Sequence, residues 1–237
     1  MTDVVLVPGL WLDGSTWDQV VPGIEQAGHR ARPLTLPGMQ DRAADRSAIT
    51  LQDHVDAVVA AIDAADSPVV LVGHSGGAAV AWCAVDARPD RVSRVVMIGG
   101  FPSADGEAVV RGLPAENGEV PFPGWDAFDD DEKRHLDDEA LAAFADRSIP
   151  SPEGAVVGPV RLVDERRLDV PVTMICPEYT ADQMRAWLAA GESNLAELAR
   201  VEDLTYVDLP TSHWPQLTRP AELAAAIVDA VGAARQP

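Results

Sequence analysis

The chain is poor in basic residues, and lysine is almost absent. Of its 237 residues 18 are basic and 38 are acidic, which gives a formal net charge of −20, and Lys133 is the only lysine. Proteins that bind nucleic acid or an anionic membrane surface need a basic face, so we expect neither kind of partner. A strongly anionic substrate is disfavoured for the same reason.

Long hydrophobic runs and cysteines are also scarce. No apolar stretch approaches the roughly 20 residues of a membrane-spanning helix. The first residues lack the basic region and cleavage site of a signal peptide, so we expect a cytoplasmic protein. Cys83 and Cys176 lie in predicted buried elements and are expected to be core thiols, not a disulfide or a metal pair. A hydrophobic fraction of 47% suits one globular domain.

Short apolar runs alternate with helical patterns along the chain. Strands are predicted near residues 4–7, 30–34, 68–72, 93–99, 171–176 and 204–209, mostly as continuous apolar runs typical of strands buried on both faces. Three helix starts are predicted: Ser15 or Thr16 as a cap, a capping box at 50–53, and Pro220 in a first turn. The alternation predicts an α/β fold with a doubly wound, mainly parallel sheet.

The strongest chemical signal is the segment Val-Val-Leu-Val-Gly-His-Ser-Gly-Gly at residues 69–77. A strand that turns sharply into a helix at Ser75 leaves the serine hydroxyl above the sheet edge, and the flanking glycines avoid collisions there. The N–H groups at the helix start suit an oxyanion. The pattern predicts a nucleophile elbow. The alternative is a tight turn in which Ser75 only caps the helix.

The order of the other motifs resembles the α/β-hydrolase superfamily. The sequence Pro8-Gly9-Leu10 follows the first strand, Ser75 sits at the elbow, and His213 follows the last strand in Ser-His-Trp-Pro, which is similar to the family's Gly-His-x-Pro. The resemblance runs from about residue 4 to residue 231. It is closest to the small esterase-like members, the group of plant methylesterases and hydroxynitrile lyases.

The resemblance implies a cap and a core. Residues 101–168 carry no convincing strand and are too many for a plain crossover. Because the superfamily commonly inserts a helical cap here, we expect 1–100 and 169–237 to form the core and 101–168 a mainly helical cap. Residues 129–147 are predicted as helix. The acidic residues at 126–132 lack the glycine and ligand spacing of a calcium loop, so they are interpreted as a solvated helix start.

The resemblance also implies the roles of individual residues. Ser75 would be the nucleophile and His213 its base, since a serine hydroxyl needs a neighbouring base. The oxyanion hole would use the backbone N–H groups of Leu10 and Gly76. Relatives usually have His-Gly where this chain has Pro8-Gly9. The imidazole that normally holds the loop is therefore missing, while the N–H of Leu10 remains.

The acid of the triad departs furthest from the family pattern. Relatives usually carry an aspartate in a Gly-x-x-Asp run after the next-to-last strand, and here Tyr179 or Thr180 occupies that position. Glu178 is the carboxylate nearest to the strand end, and its longer side chain could reach His213. We rank Glu178 first, Asp105 after the fourth strand second, and the absence of a functional acid third.

The remaining histidines and four aromatic residues complete the predicted site. His74 is expected to pack or hydrogen-bond beneath the elbow, while His29, His54 and His135 are expected at the surface. Four aromatic residues leave predicted elements on the side of the sheet where α/β folds bind ligands. They are predicted to bind substrate, the alternative being a role as core anchors: Trp11, Phe101, Trp125 and Trp214.

These features predict a serine hydrolase without cofactor or metal, most simply a carboxylesterase for a small apolar or aromatic ester. Two other functions are open. The first is a lyase in which Ser75 and His213 move a proton without an acyl-enzyme, for which Lys133 is the candidate cation. The second is a non-catalytic protein that binds a small molecule on the same scaffold. The sequence leaves the substrate and the oligomeric state open.

Overall fold

A computed structural model describes residues 1–234 of the chain. Within that range the chain forms eight strands: β1 (Asp3–Val7), β2 (Arg30–Pro33), β3 (Val69–His74), β4 (Val92–Ile98), β5 (Glu119–Val120), β6 (Ser151–Pro152), β7 (Val172–Cys176) and β8 (Leu204–Asp208). Six of them pair in parallel in the order β2-β1-β3-β4-β7-β8, and β5 and β6 form a separate antiparallel pair. All six strands predicted from the sequence are confirmed.

Helices connect the parallel strands, which confirms the predicted doubly wound α/β fold. They are α1 (Val21–Gln26), α2 (Leu51–Asp63), α3 (Gly76–Ala87), α4 (Asp138–Arg147), α5 (Glu153–Val156), α6 (Ala181–Ala190), α7 (Pro215–Thr218) and α8 (Pro220–Ala233). No helix between residues 1 and 234 has both the length and the apolar character needed to cross a membrane.

The sheet has two buried faces because successive side chains of a strand point in opposite directions. Val5 and Leu71 belong to the cluster that includes side chains of α2, α3 and α6. Val4 and Val70 belong to the opposite cluster, with side chains of α1 and α8. Each fully buried aliphatic side chain stabilises the fold by roughly 1.5–3 kcal/mol, so the central strands hold the site's framework rigidly.

The chain reverses direction across the sheet between β1 and β3. From β1 it proceeds to the edge strand β2, then returns to β3 and continues through β4, β7 and β8. In open α/β sheets, ligands bind outside the carboxyl ends of the strands at such a switch point. The segments that leave β1 and β3 there are the loop containing Leu10 and the turn at Ser75.

Two of the three predicted helix starts are confirmed. The hydroxyl of Thr50 accepts from the N–H of Asp53, whose carboxylate accepts from the N–H of Thr50, and Pro220 begins α8. The prediction of Ser15 or Thr16 as a cap is wrong. The side chain of Asp13 accepts from the N–H of Ser15 and caps a short 3₁₀ turn, and α1 begins only at residue 21.

Residues 101–168 contain α4, α5 and the short β5–β6 pair, and none of the six parallel strands. The predicted helix over 129–147 is wrong in its first half. The observed helix α4 begins only at Asp138, after the N-cap Asp137, whose carboxylate accepts from the N–H of Ala140 at 2.8 Å. Residues 130–135 form turns instead, and His135 has a φ of 67° there. The division into a core and a cap stays a prediction.

Candidate active site

Ser75 stands between a strand and a helix in a strained conformation. Its φ of 51° and ψ of −127° are unusual for a residue with a side chain. The N–H of Ser75 donates to the carbonyl of Ile98 at 2.9 Å, which anchors the turn to β4. The sharp turn that the sequence predicts at residue 75 is confirmed.

Glycines around Ser75 allow backbones to approach closer than any side chain would permit. A Cβ on Gly77 would lie 2.3 Å from the carbonyl oxygen of Pro8, and one on Gly100 would lie 2.3 Å from the carbonyl oxygen of Ser75. Real Cβ atoms do not make such contacts. The loop after β1 and the end of β4 can therefore pack directly against the turn.

His213 lies in the loop after β8 and connects Ser75 to Glu178. Its Nε2 is 2.9 Å from Oγ of Ser75, and its Nδ1 is 2.8 Å from Oε1 of Glu178. Glu178 follows β7, as the preferred assignment of the acid requires. The carboxylate of Asp105, the second choice, instead accepts from the N–H of Leu162 at 2.9 Å.

The environment of His213 favours its charged form. Burial by itself disfavours the imidazolium, but the hydrogen bond and the negative charge of Glu178 outweigh burial, with a smaller contribution from Glu132. The pKa of His213 is therefore raised above 6.5. A raised pKa makes the imidazole a better acceptor for a proton from Ser75.

His74 holds the main chain of His213 from beneath the turn, where the sequence predicts packing or a hydrogen bond. Its Nε2 is 2.8 Å from the carbonyl oxygen of His213, and its Nδ1 is 3.3 Å from Nε2 of Gln216. Complete burial, together with the nearby His213, lowers the pKa of His74 to about 3. His74 is therefore neutral. Sequence reasoning missed Gln216, because no motif marks the residue.

Leu10 and Gly76, the two residues predicted to form the oxyanion hole, lie against each other. The side chain of Leu10 lies so close to Gly76 that a Cβ there would be 3.2 Å from it. For neither N–H does the described part of the chain provide a hydrogen-bond acceptor. The two groups are free to donate to a ligand.

Residues of the segment 101–168 hold the loop after β1, where the family's usual histidine is replaced by Pro8. The N–H of Trp11 donates to Oγ of Ser151 at 3.0 Å, and its carbonyl accepts from the N–H of Ile149 at 2.9 Å. The indole N–H of Trp11 donates to the carbonyl of Val120 at 3.1 Å. These contacts keep Trp11 at a φ of 64°, a strained value for a bulky residue.

Of the four predicted substrate-binding aromatics, the structure places Phe101 next to Ser75. Phe101 lines the cleft of about 300 Å³ that contains Ser75 and an adjoining cleft of about 440 Å³ that reaches Glu178. The other three, Trp11, Trp125 and Trp214, pack together with three phenylalanines. We call this group of six the aromatic cluster: Trp11, Phe122, Trp125, Phe128, Phe144 and Trp214.

The aromatic cluster lies against the loop of His213. The ring of Trp214 is only 1% exposed, and its centroid is 4.9 Å from that of His213. Trp11 is also buried, so both have the surroundings of anchors that join the segment 101–168 to the sheet. A role of Trp11, Trp125 and Trp214 in substrate binding stays a prediction.

The sequence predicts His54 at the surface, and this prediction is wrong. His54 is 5% exposed, and its Nε2 lies 2.9 Å from the carbonyl oxygen of Pro37. A signal was present in the sequence, since position 54 lies on the stripe of α2 that also holds Leu51 and Val58. His135 is exposed as expected, with its Nδ1 3.1 Å from the hydroxyl of Thr211.

Comparison with known proteins gives similar sequences along most of the chain. The model of an alpha/beta hydrolase family matches residues 4–226. A pyrethroid hydrolase from Sphingobium wenxiniae is 28% identical over 247 aligned positions, covering 97% of this chain and 87% of that protein. A carbendazim hydrolyzing esterase from a Nocardioides species is 30% identical over 116 residues, and this match spans only 48% of the esterase.

Solved structures with the same fold are more distant in sequence. An extracellular alpha/beta-hydrolase from a Paenibacillus species superposes with a TM-score of 0.79 at 20% identity, covering 97% of this chain and 99% of that one. Methylketone synthase I from tomato superposes with a TM-score of 0.75 at 13% identity, covering 99% and 98%. At these identities the likeness shows the fold alone. Because the family model matches the chain over residues 4–226, the protein belongs to the alpha/beta hydrolase family.

Proposed function

We propose that this protein is a carboxylesterase that cleaves small apolar or aromatic esters through an acyl-enzyme on Ser75. The observation that carries the proposal is the continuous row of hydrogen bonds, 2.9 Å from Ser75 to His213 and 2.8 Å from His213 to Glu178. Further support comes from the relatives that are named as a pyrethroid hydrolase and a carbendazim hydrolyzing esterase.

The geometry fits the two halves of an ester hydrolysis. Oγ of Ser75 attacks the carbonyl carbon while its proton passes to Nε2 of His213, and Glu178 holds Nδ1–H and stabilises the imidazolium. The bond to the alcohol oxygen then breaks, and His213 returns the proton to that oxygen. In the second half, His213 takes a proton from water, which attacks the acyl carbonyl carbon. The bond from that carbon to Oγ of Ser75 then breaks, and His213 returns the proton to Oγ as the acid leaves.

The negative charge that develops on the carbonyl oxygen needs donors fixed in advance. We assign this role to the free N–H groups of Leu10 and Gly76, next to the strained turn at Ser75. One such donor contributes on the order of 3 kcal/mol to transition-state stabilisation. Backbone donors cost little reorganisation, because the loop of Leu10 is held through Trp11 by Ser151 and Ile149.

The cleft at Ser75 favours a compact substrate with an apolar part. Its volume of about 300 Å³ is at the low end for small-molecule sites. Phe101 and Val109 supply apolar walls, and Glu107 and Arg111 form an ion pair on the same cleft. A lyase would need a free cation near the serine. Lys133, the only lysine of the chain, does not line the cleft that contains Ser75, which argues against that function.

The test measures hydrolysis of a panel of p-nitrophenyl esters and labelling by a fluorophosphonate. Ser75→Ala and His213→Ala should each lower kcat by roughly 10³-fold or more, and the double variant should be little worse, because residues that act as one unit are not additive. Labelling should be lost in Ser75→Ala. Ser103→Ala, a second serine on the same cleft, is the matched control and should keep labelling. Wild-type turnover in Ser75→Ala would refute the covalent mechanism.

A further inference from the structure

A second cavity lies between the loop after β1 and helix α4. Its volume is about 320 Å³, which is within the range of small-molecule sites. It shares no lining residue with the cleft that contains Ser75. Trp11 from the loop, Phe144 from α4 and Leu217 from α7 give it apolar walls. The cavity is therefore separate from the proposed active site and suited to an apolar ring.

Two polar side chains on its wall have oxygens without a partner. Gln216 is fully buried and Thr16 is 8% exposed, and both line the cavity. Neither Oε1 of Gln216 nor Oγ1 of Thr16 has a hydrogen-bond partner among the described residues. Leaving buried polar atoms unpaired costs free energy. A ligand that supplies the missing hydrogen bond would recover it.

The contacts of His74 determine which atom of Gln216 is free. The carbonyl of His213 can only accept, so Nε2 of His74 must carry the proton. Since His74 is neutral, its Nδ1 has no proton and can only accept, which requires the amide nitrogen of Gln216 at 3.3 Å to donate. The oxygen is then the unpaired atom of Gln216. Because that oxygen is only an acceptor, the ligand must be a donor.

Charge at the cavity argues for an uncharged ligand. Asp13, Asp18 and Arg147 line it, a formal charge of −1 that disfavours a carboxylate product. The buried polar groups, Gln216 and Thr16, are neutral and offer no counter-charge to an ion at depth.

We infer that this cavity is a second binding site, which takes a small uncharged aromatic or apolar alcohol or phenol whose hydroxyl donates to Gln216. The aromatic walls of Trp11 and Phe144 receive the ring, and the hydroxyl of Thr16 accepts or donates a further hydrogen bond. The inference concerns binding alone and stands whether or not Ser75 forms an acyl-enzyme.

The test uses 2-naphthol as the probe and calorimetric titration of the full-length protein. Wild type should bind 2-naphthol at least 10-fold more tightly than 2-methoxynaphthalene, which has the same rings but no hydroxyl donor. Ala143→Trp, which fills the cavity from α4, should remove this binding event. Ala142→Trp changes the neighbouring exposed residue, which does not line the cavity, and should leave it intact.

Two results would overturn the inference. One is equal binding of 2-naphthol by Ala143→Trp and Ala142→Trp, because the probe would then bind elsewhere. The other is equal affinity of wild type for the alcohol and the ether, because no donor would then be recognised. Leu217→Trp fills the same cavity from α7 and should also abolish binding, which keeps the test decisive if Ala143→Trp does not fold. Circular dichroism checks the fold of each variant.

Discussion

At the scale of single residues, His213 is held by three different parts of the chain. Glu178 contacts its Nδ1, His74 contacts its carbonyl oxygen, and the carbonyl of Glu132 accepts from its N–H, each at 2.8 Å. Side chain and main chain are thus both fixed before a substrate binds. As the proposed base, His213 would not have to be reoriented during the reaction.

Replacing Glu178 tests the acid directly. Glu178→Gln should lower kcat for a p-nitrophenyl ester by up to ~10⁴-fold, because the imidazole loses the group that fixes its tautomer and stabilises its charge. Asp105→Asn is the matched control. Its carboxylate accepts from the N–H of Leu162, so turnover should stay within a few-fold of wild type. The reverse pattern would move the assignment to Asp105.

The same pair of residues predicts the pH dependence. The proposed hydrolysis needs neutral His213. Burial by itself lowers the pKa of His213, but Glu178 outweighs it and raises that pKa above 6.5. We therefore expect kcat/KM for an uncharged ester to be lost as the pH falls through a value above 6.5. In Glu178→Gln, burial is the main remaining influence on the pKa of His213, and it lowers that pKa. The residual activity should therefore persist to lower pH. An acid limb at the same pH in both proteins would contradict this.

At the scale of elements, the turns at 130–135 are tied to the loop of His213. Besides the bond from the N–H of His213 to Glu132, the ring of His135 lies 3.1 Å from the hydroxyl of Thr211, which lies 2.7 Å from that of Thr218. The segment 101–168 therefore contacts the loops of both His213 and Trp11.

Hydrogen exchange should nevertheless distinguish this segment from the sheet. Most residues of 101–168 are exposed or half-buried, whereas β3 is buried throughout. Local opening needs less free energy where few apolar contacts are lost. We expect amides of 101–168 to be protected roughly 100-fold less than those of β3 and β4. The exceptions are amides near the buried residues of the segment, such as Val120, Phe144 and Val156. Protection equal to that of the central strands would contradict this expectation.

At the scale of the whole molecule, two buried histidines link stability to pH. Burial is the main cause that lowers the pKa of His54, and it lowers that of His74 to about 3. Above pH 6.5 both histidines are neutral in the folded and the unfolded chain. Below it, the unfolded chain takes up protons that the folded chain does not. The contribution of these two histidines to stability is therefore lost as the pH falls from about 6.5 towards 3.

The contribution of His54 can be measured by comparing slopes. The free energy of unfolding, measured in urea, should decrease less steeply in His54→Gln than in wild type as the pH is lowered. Near pH 5 the two slopes should differ by up to about 1.4 kcal/mol per pH unit. Above pH 8 the two slopes should agree, which controls for the loss of packing. Parallel slopes at pH 5 would show that burial of His54 does not oppose its protonation.

The sequence by itself determined the features that depend on neighbouring residues. Continuous apolar runs identify the buried strands, because side chains on both faces of such a strand are buried and are therefore mostly apolar. The glycines around Ser75 identify the turn, because side chains on Gly73 and Gly77 would collide with neighbouring backbone. The order of these motifs along the chain was enough to predict the sheet and the family resemblance.

Only the tertiary structure decided which distant residues meet. Gln216 and His74 are 142 positions apart, and Trp11 and Ser151 are 140 apart, so no local pattern records either contact. The distance from Glu178 to His213 depends on where the loops after β7 and β8 end, which packing of the whole sheet sets. Burial of Trp214 likewise depends on the segment 101–168 lying over it. Such pairings are determined by the shape of the assembled core, because no periodicity or motif in the sequence encodes a contact between residues that are far apart along the chain.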